Sequence, residues 1–217
     1  MLSPALQDAA DIWLIGPMAR KPLPHDLRAK NMPQVAIDGG GQVADAPCLW
    51  LGDGDSGFPP AGVDAHLKPT QDLTDIEFAL EFLRGGDWRR LHLSGFTQGA
   101  GFTHGRADHA LANIGAVVAE MKNRPRFEQA VFYGDDGAAV QRVFAAGAQS
   151  FRHEGLFSVF TLAEAFVSIS GACAYPAHRL LLPPLSGRGV SNVASGEVRV
   201  AADVPLVVMF AYEDECG

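Results

Sequence analysis

The sequence predicts an α/β amino-terminal half built on a mainly parallel sheet, followed by an all-β carboxy-terminal half. Three observations carry this reading. Short, continuous apolar runs recur through the first half, each ending in small or acidic residues. Two segments with helical periodicity follow among them. Beyond Asn123–Arg126 the chain changes to short apolar runs separated by Gly, Pro, Ser and Asn.

Taken in order, Ile12–Ile15 ends at Gly16-Pro17, Val35–Ile37 at Asp38-Gly39-Gly40-Gly41, Leu49–Leu51 at Gly52-Asp53, and Leu91–Leu93 at Ser94-Gly95. Unbroken apolar runs of this length suit strands covered on both faces, as in a parallel sheet. Ligands of such sheets bind outside the carboxyl ends of the strands, so the loops after these runs should converge. Ile76, Ala79, Leu80 and Leu83 share one face of a helix over 74–84. Thr74 and Glu77 form a capping box at its start, and Asp75 suits the positive end of the helix dipole. Leu111, Ile114, Val118 and Met121 share a face of a second helix over 107–122, which ends before Pro125. Asp135-Asp136-Gly137 reads as a turn between an apolar run and a helical one. The later runs, 157–162, 166–169, 179–182, 197–201 and 205–210, suit a β-sandwich or barrel.

The 217 residues allow one large domain or two small ones, and 47% hydrophobic content provides ample core. A net charge of −8 without a basic stripe argues against nucleic acid as a partner. Cys48, Cys173 and Cys216 are scattered and odd in number, which fits neither a disulfide framework nor a zinc site. The start of the chain carries Asp8 and Asp11 rather than a basic segment before an apolar core, so it does not read as a signal peptide. No apolar stretch reaches membrane-spanning length. These features predict a cytoplasmic protein without a membrane partner.

The chemistry concentrates in Gly52-Asp53-Gly54-Asp55-Ser56-Gly57. Its glycines satisfy the G-x-G-x-x-G spacing of dinucleotide sites. That motif needs bare backbone N–H groups against a pyrophosphate, and here Asp53 and Asp55 would set negative charge against negative charge. The conflict disappears when Mg²⁺ lies between the carboxylates and the phosphates. Asp72 and Asp75 add two more acids, and capping does not require Asp72. Arg106, just before the second helix, suits bidentate phosphate binding. His109 and Asn113 lie one turn apart on that helix. The P-loop, the protein-kinase signatures and G-x-S-x-G are all absent.

Taken together, these segments resemble the thiamin pyrophosphokinase family. The resemblance runs in order through Asp38-Gly39-Gly40, Gly52-Asp53-Gly54-Asp55-Ser56, Gln71-Asp72-Leu73-Thr74-Asp75, Gly105-Arg106-Ala107-Asp108-His109 with Asn113, and Gly189-Val190-Ser191-Asn192. It implies an α/β domain over 1–124 that binds ATP and Mg²⁺, and a β-sandwich over 125–217 that binds thiamine and forms a homodimer, with the active site shared between subunits. The implied reaction moves a diphosphoryl group from ATP to the hydroxyl of thiamine and releases AMP. By motif position, Asp53, Asp55, Asp72 and Asp75 are the implied catalytic acids, with Asp53, Asp55 and Asp75 holding the metal. Asp38, Gly39, Arg106, Asp108 and Asn113 fall on the ATP side, and Gln71, Thr74, Ser191 and Asn192 on the thiamine side. Three departures stand out: Gly54 where the family often has Phe, His104 before Gly105-Arg106, and Val193 where Glu often follows Ser-Asn. Val193 keeps open a related diphosphokinase acting on a hydroxymethylpterin. A catalytically silent dimer that binds thiamine or a nucleotide is a further alternative.

Overall fold

The computed structural model describes residues 2–20, 23–70, 72–96 and 107–211. The first half contains α1 (Pro4–Gln7), β1 (Asp11–Ile15), α2 (His25–Ala29), β2 (Gln34–Ile37), β3 (Pro47–Gly52), β4 (Ala65–Leu67), α3 (Asp75–Phe82), β5 (Arg90–Ser94) and α4 (Ala107–Asn123). There follow β6 (Gln129–Tyr133), β7 (Ala139–Phe144), β8 (Gly147–Thr161), β9 (Ala165–Cys173), β10 (Ala177–Leu182), β11 (Asn192–Ala202) and β12 (Leu206–Phe210). The strands form one mixed ladder in the order β10-β9-β11-β8-β12-β7-β6-β5-β1-β2-β3-β4. Strands β6, β5, β1, β2, β3 and β4 pair in parallel. The pairs from β6–β7 onward are antiparallel.

Period-2 alternation explains the apolar runs of the parallel set. On β1, Ile12 and Leu14 join a core with Ile76 and Leu80 of α3 and Ile114 and Val117 of α4. Trp13 and Ile15 face the other way, onto Leu27 of α2. Both faces are covered, so both sets of side chains are apolar. A third cluster fills the antiparallel half, with Phe151, Phe157, Val159, Val198 and Val200 among its members. Strands β7 and β12 serve two cores: Val143 and Val207 point to the first, and Phe144, Leu206 and Val208 to the third.

Several elements differ from expectation. Strand β6 lies beyond the expected break yet pairs in parallel with β5. The chain after Asp135-Asp136-Gly137 is strand β7, not a helix. Pairing on both edges, with β6 and β12, outweighs the helix preference of Ala139 and the preceding Ala138. The later strands are longer than their apolar runs, since β11 alternates buried and exposed along 11 residues. In α4 the buried face is turned from the expected one. Leu111 is 46% exposed, whereas Ala110 and Asn113 are buried beside Ile114, Val118 and Met121. The capping box of α3 forms as read: Glu77 N–H donates to Thr74 Oγ1 at 3.2 Å, and Thr74 N–H donates to Glu77 Oε2 at 2.7 Å.

Candidate active site at the carboxyl edge of the parallel sheet

Parallel strands send the loops that follow them to one edge, and the cleft lies there. Pro17 and Met18 follow β1, Asp53 and Asp55 follow β3, Lys68 follows β4, and Gly95 and Phe96 follow β5. Thr74 and Asp75 from the start of α3, His109 and Asn113 from α4, and Asp72 complete a cleft of about 390 Å³.

Asp38 anchors the acidic end of this site. It follows β2, is only 2% exposed, and adopts a left-handed φ of 45°. Asp tolerates that region better than most residues, at a cost of about 1–3 kcal/mol that surrounding contacts must offset. Those contacts are present. Trp50 Nε1–H donates to the Asp38 carbonyl at 3.0 Å, and Gly54 N–H donates to Asp38 Oδ1 at 3.1 Å. Residue 52 must be glycine for this packing, since a Cβ there would lie 1.9 Å from Asp38 Oδ1. Ser56 Oγ accepts from Gly39 N–H at 3.4 Å and links the two loops. Within the second loop, Asp53 Oδ1 accepts from Asp55 N–H at 3.1 Å.

Carboxylate oxygens of Asp38, Asp53 and Asp55 lie within 4.8 Å of one another. Burial pushes the Asp38 carboxyl up to about 6; the Gly54 hydrogen bond opposes this, and the negative charges of Asp75, Asp53 and Asp55 add to it. A cluster of hard oxygen donors under mutual repulsion fits the ligand preference of Mg²⁺. Asp75 has a different partner. Lys68 Nζ donates to Asp75 Oδ1 at 2.7 Å and sits 3.4 Å from Asp53 Oδ2. Its side chain is only 6% exposed. Burial alone would lower the Lys68 pKa, but the hydrogen bond and charge of Asp75, with those of Asp53, outweigh burial and raise it. Sequence reasoning missed Lys68. Its signal was a lone cation just before the Gln71–Asp75 segment, in a region otherwise dense in acids.

Among the other sequence candidates, Thr74 lines the cleft while its hydroxyl caps α3. Asn113 is buried and donates through Nδ2 to the Phe96 carbonyl at 3.3 Å. Asp108 is exposed on the first turn of α4 and does not line the cleft. Gln71 and Arg106 lie outside the described residues.

Ser191 and Asn192 line a separate cavity of about 800 Å³ between β9, β10 and β11, which shares none of the described residues with the acidic cleft. Asn192 is buried, and its amide is engaged. Oδ1 accepts from Tyr175 N–H at 3.0 Å and from Val193 N–H at 2.9 Å, and Nδ2 donates to the Tyr175 carbonyl at 2.8 Å. Ser191 is exposed at φ 61°, and its N–H donates to Ser158 Oγ at 3.1 Å.

No protein-family model and no curated relative matches the sequence. Solved structures do match. A thiamine pyrophosphokinase from Bacillus subtilis superposes with a TM-score of 0.70 at 16% identity, covering 94% of this chain and 100% of that one. A thiamin pyrophosphokinase from Geobacillus thermodenitrificans gives 0.67 at 19% identity, covering 95% and 100%. A thiamin pyrophosphokinase from Candida albicans gives 0.66 at 14% identity, covering 96% and 94%. The chain therefore shares the fold of these enzymes over nearly its whole length.

Proposed function

We propose that this chain is a thiamin pyrophosphokinase, which transfers a diphosphoryl group from ATP to the hydroxyl of thiamine and releases AMP. The observation that supports this most is the convergence of Asp38, Asp53 and Asp55 at the carboxyl edge of a parallel sheet, in a fold shared with such enzymes.

In this reading Asp53, Asp55 and Asp38 hold Mg²⁺, which when bound offsets phosphate charge and polarises the phosphorus under attack. Lys68, fixed by Asp75, presents a second positive charge to the polyphosphate. Arg106 clamps a phosphate, and Asp108 and Asn113 belong to the nucleotide side with Asp38-Gly39. Asp75 is committed to Lys68, which leaves Asp72, exposed at the cleft's lip, as the carboxylate that accepts the proton of the attacking hydroxyl. The rate enhancement then comes mainly from positioning and electrostatics. Gln71, Thr74 and Ser191 serve the thiamine side, and Asn192 shapes the loop that carries Ser191.

The proposal extends to organisation. Residues 1–124, with β6 added to their parallel sheet, form the ATP- and Mg²⁺-binding α/β part, and the antiparallel strands from β7 onward form a β-sandwich that binds thiamine and pairs two subunits. The Ser191 loop of one subunit then completes the acidic cleft of the other. No helix among the described residues is long and apolar enough to cross a membrane, and the proposed setting is the cytoplasm.

The test is incubation of the protein with ATP, Mg²⁺ and thiamine, followed by chromatography for AMP and thiamine diphosphate. Formation of both supports the reading. AMP formed only with a hydroxymethylpterin would move the acceptor. AMP formed with neither acceptor would overturn the diphosphokinase assignment. Light scattering that gave a monomer mass for fully active protein would overturn the shared site.

A further inference from the structure

The cavity that holds Ser191 is basic, whereas the cleft is acidic. Arg179 and Arg188 line the cavity with His178, and no carboxylate stands among its described lining residues. Asp53, Asp55, Asp72 and Asp75 line the cleft, with Lys68 as the one Lys or Arg among its described residues. Lys68 is already engaged by Asp75 and Asp53.

Arg188 is the cation of the cavity whose position is most firmly built. It sits in a short 3-10 turn, Gly187–Gly189. Ser186 Oγ accepts from the Arg188 N–H at 3.2 Å and caps that turn. Gly189 is buried against β8, where a Cβ would lie 2.0 Å from the Val159 carbonyl oxygen. Only glycine lets the loop lie this close. Two residues further on, Ser191 N–H donates to Ser158 Oγ at 3.1 Å. The loop is thus capped before Arg188 and seated on β8 after it. The Arg188 side chain is exposed, and its Nη1 donates to the Leu181 carbonyl at 3.0 Å. A guanidinium carries five donors, so this one contact orients the group and leaves donors for a ligand. Arg179, by contrast, stacks 4.7 Å over the Phe166 ring.

Seven strands separate β11, which follows this loop, from β3, which precedes Asp53 and Asp55. At about 4.8 Å per pairing, that is roughly 40 Å along the ladder. One side chain does not bridge such a distance, so Arg188 and Asp55 of the same chain stay apart along the sheet. A second copy brings them together when the acidic face of one lies on the basic face of the other. A two-fold axis makes that contact twice, and the opposite charges favour it.

We propose that Arg188 is a catalytic residue in trans: its guanidinium enters the acidic cleft of the partner subunit and binds the diphosphoryl group in transfer. This rests on the shared-site diphosphokinase reading above. In the step, the hydroxyl oxygen of thiamine bonds to the β-phosphorus of ATP, and the bond from that phosphorus to the α,β-bridging oxygen breaks. AMP leaves with that oxygen, and the hydroxyl proton passes to Asp72. Negative charge spreads over the oxygens of the transferring group, where a fixed bidentate donor is worth most.

The experiment is a hybrid dimer. Arg188→Ala and Asp55→Asn subunits with different tags are co-expressed and purified through both tags. AMP formation is followed with ATP, Mg²⁺ and thiamine, and binding of α,β-methylene-ATP with Mg²⁺ is followed by calorimetry. Arg188→Ala alone should melt like the parent, lose about a hundredfold in kcat and bind the analogue about tenfold more weakly. Arg188→Lys keeps the charge without the fork and should fall between the two. In the hybrid, the cleft with Asp55 intact receives Arg188 from the Asp55→Asn subunit. About half of the parental activity and one tight analogue site per dimer should therefore return. A hybrid as inactive as its components would overturn the assignment. So would a parental kcat in Arg188→Ala, or subunits that do not co-purify. A parent that forms no AMP would defeat the diphosphokinase reading, and the analogue then decides alone. One tight site in the hybrid would retain Arg188 as a phosphate ligand in trans, and unchanged affinity in Arg188→Ala would overturn it.

Discussion

The ammonium of Lys68 donates to Asp75 Oδ1 at 2.7 Å, which ties the end of β4 to the first turn of α3. The same group lies 3.4 Å from Asp53 Oδ2, so one buried cation braces two of the loops that form the cleft. Asp75 is thereby drawn toward Lys68, while Asp38 joins Asp53 and Asp55.

Lys68→Met keeps the length of the stem and removes the charge. Asp53 and Asp75 then lose their common partner. Removing one partner of a buried pair costs about 3–5 kcal/mol. Asp75 is 31% exposed, which reduces the expected loss to about 1–3 kcal/mol. Urea unfolding measures this. In the proposed reaction, KM for ATP should rise about tenfold, with Lys68→Arg partly rescuing it. A variant with unchanged stability and unchanged KM would remove Lys68 from the site.

Asp55→Asn retains size and loses charge at an exposed position, so the fold should persist. Divalent-metal affinity, read by Mn²⁺ electron paramagnetic resonance, should fall. AMP formation should fall about a hundredfold or more. Asp53→Asn should behave alike, with an added small loss of stability from its contact with Lys68. Normal Mn²⁺ binding in both variants would refute the metal assignment.

Stability should decline on mild acidification through His92. Burial lowers its pKa from the ordinary 6.5; the hydrogen bond and charge of Asp11 oppose this, and the charges of Lys30 and Arg90 add to it. The unfolded chain therefore binds a proton at a higher pH than the folded one. The stability that His92 contributes is present above 6.5 and is lost as pH falls toward the folded value. Asp11, held low by Arg90 against the cost of burial, with help from His92, remains ionised in that window. Asp38, raised to about 6, gains stability on acidification over the same window, so the His92 loss is read as the difference between the parent protein and His92→Gln in denaturant unfolding at about pH 7 and about pH 5. Equal slopes for both proteins would count against the assignment.

Asn192→Ala and Ser191→Ala should separate. Asn192 makes three hydrogen bonds to backbone groups of Tyr175 and Val193 and is only 5% exposed. Its removal leaves three part-buried hydrogen bonds to the backbone of Tyr175 and Val193 unmade and should cost about 1–3 kcal/mol. Ser191 is exposed, so Ser191→Ala should leave thermal unfolding nearly unchanged. Under the proposed function it should raise KM for thiamine by roughly two- to twelvefold, the loss of one neutral hydrogen bond, and leave KM for ATP unaltered. Identical melting curves for Asn192→Ala and the parent protein would contradict its bracing role.

Local chemistry made much of this molecule legible from the chain alone. The apolar runs at Ile12–Ile15, Val35–Ile37, Leu49–Leu51 and Leu91–Leu93 all lie in parallel strands, because burial on both faces leaves an unbroken apolar signature. The box of Thr74 and Glu77 marks the start of α3, because its donors and acceptors lie within four consecutive residues. Strand β7 was not legible in this way. Its strand state depends on β6 and β12, of which β12 comes more than 60 residues later in the chain.

The sequence by itself determined which residue types stand at the ends of the strands: Asp38 after β2, Asp53 and Asp55 after β3, and Gly52 where a side chain would strike Asp38. Tertiary structure decided which of them meet. Asp38 joins Asp53 and Asp55 because β2 and β3 are neighbours in the sheet. Asp75 pairs with Lys68 because the start of α3 packs beside the end of β4. The hydrogen-bonded chain of Asp11, His92 and Tyr133 exists only because β1, β5 and β6 lie side by side. Each partner is more than 40 residues from the next along the chain, so no local pattern records it. Electrostatic and hydrogen-bond energies depend on distances of a few ångströms, and only the order of strands in the sheet determines those distances.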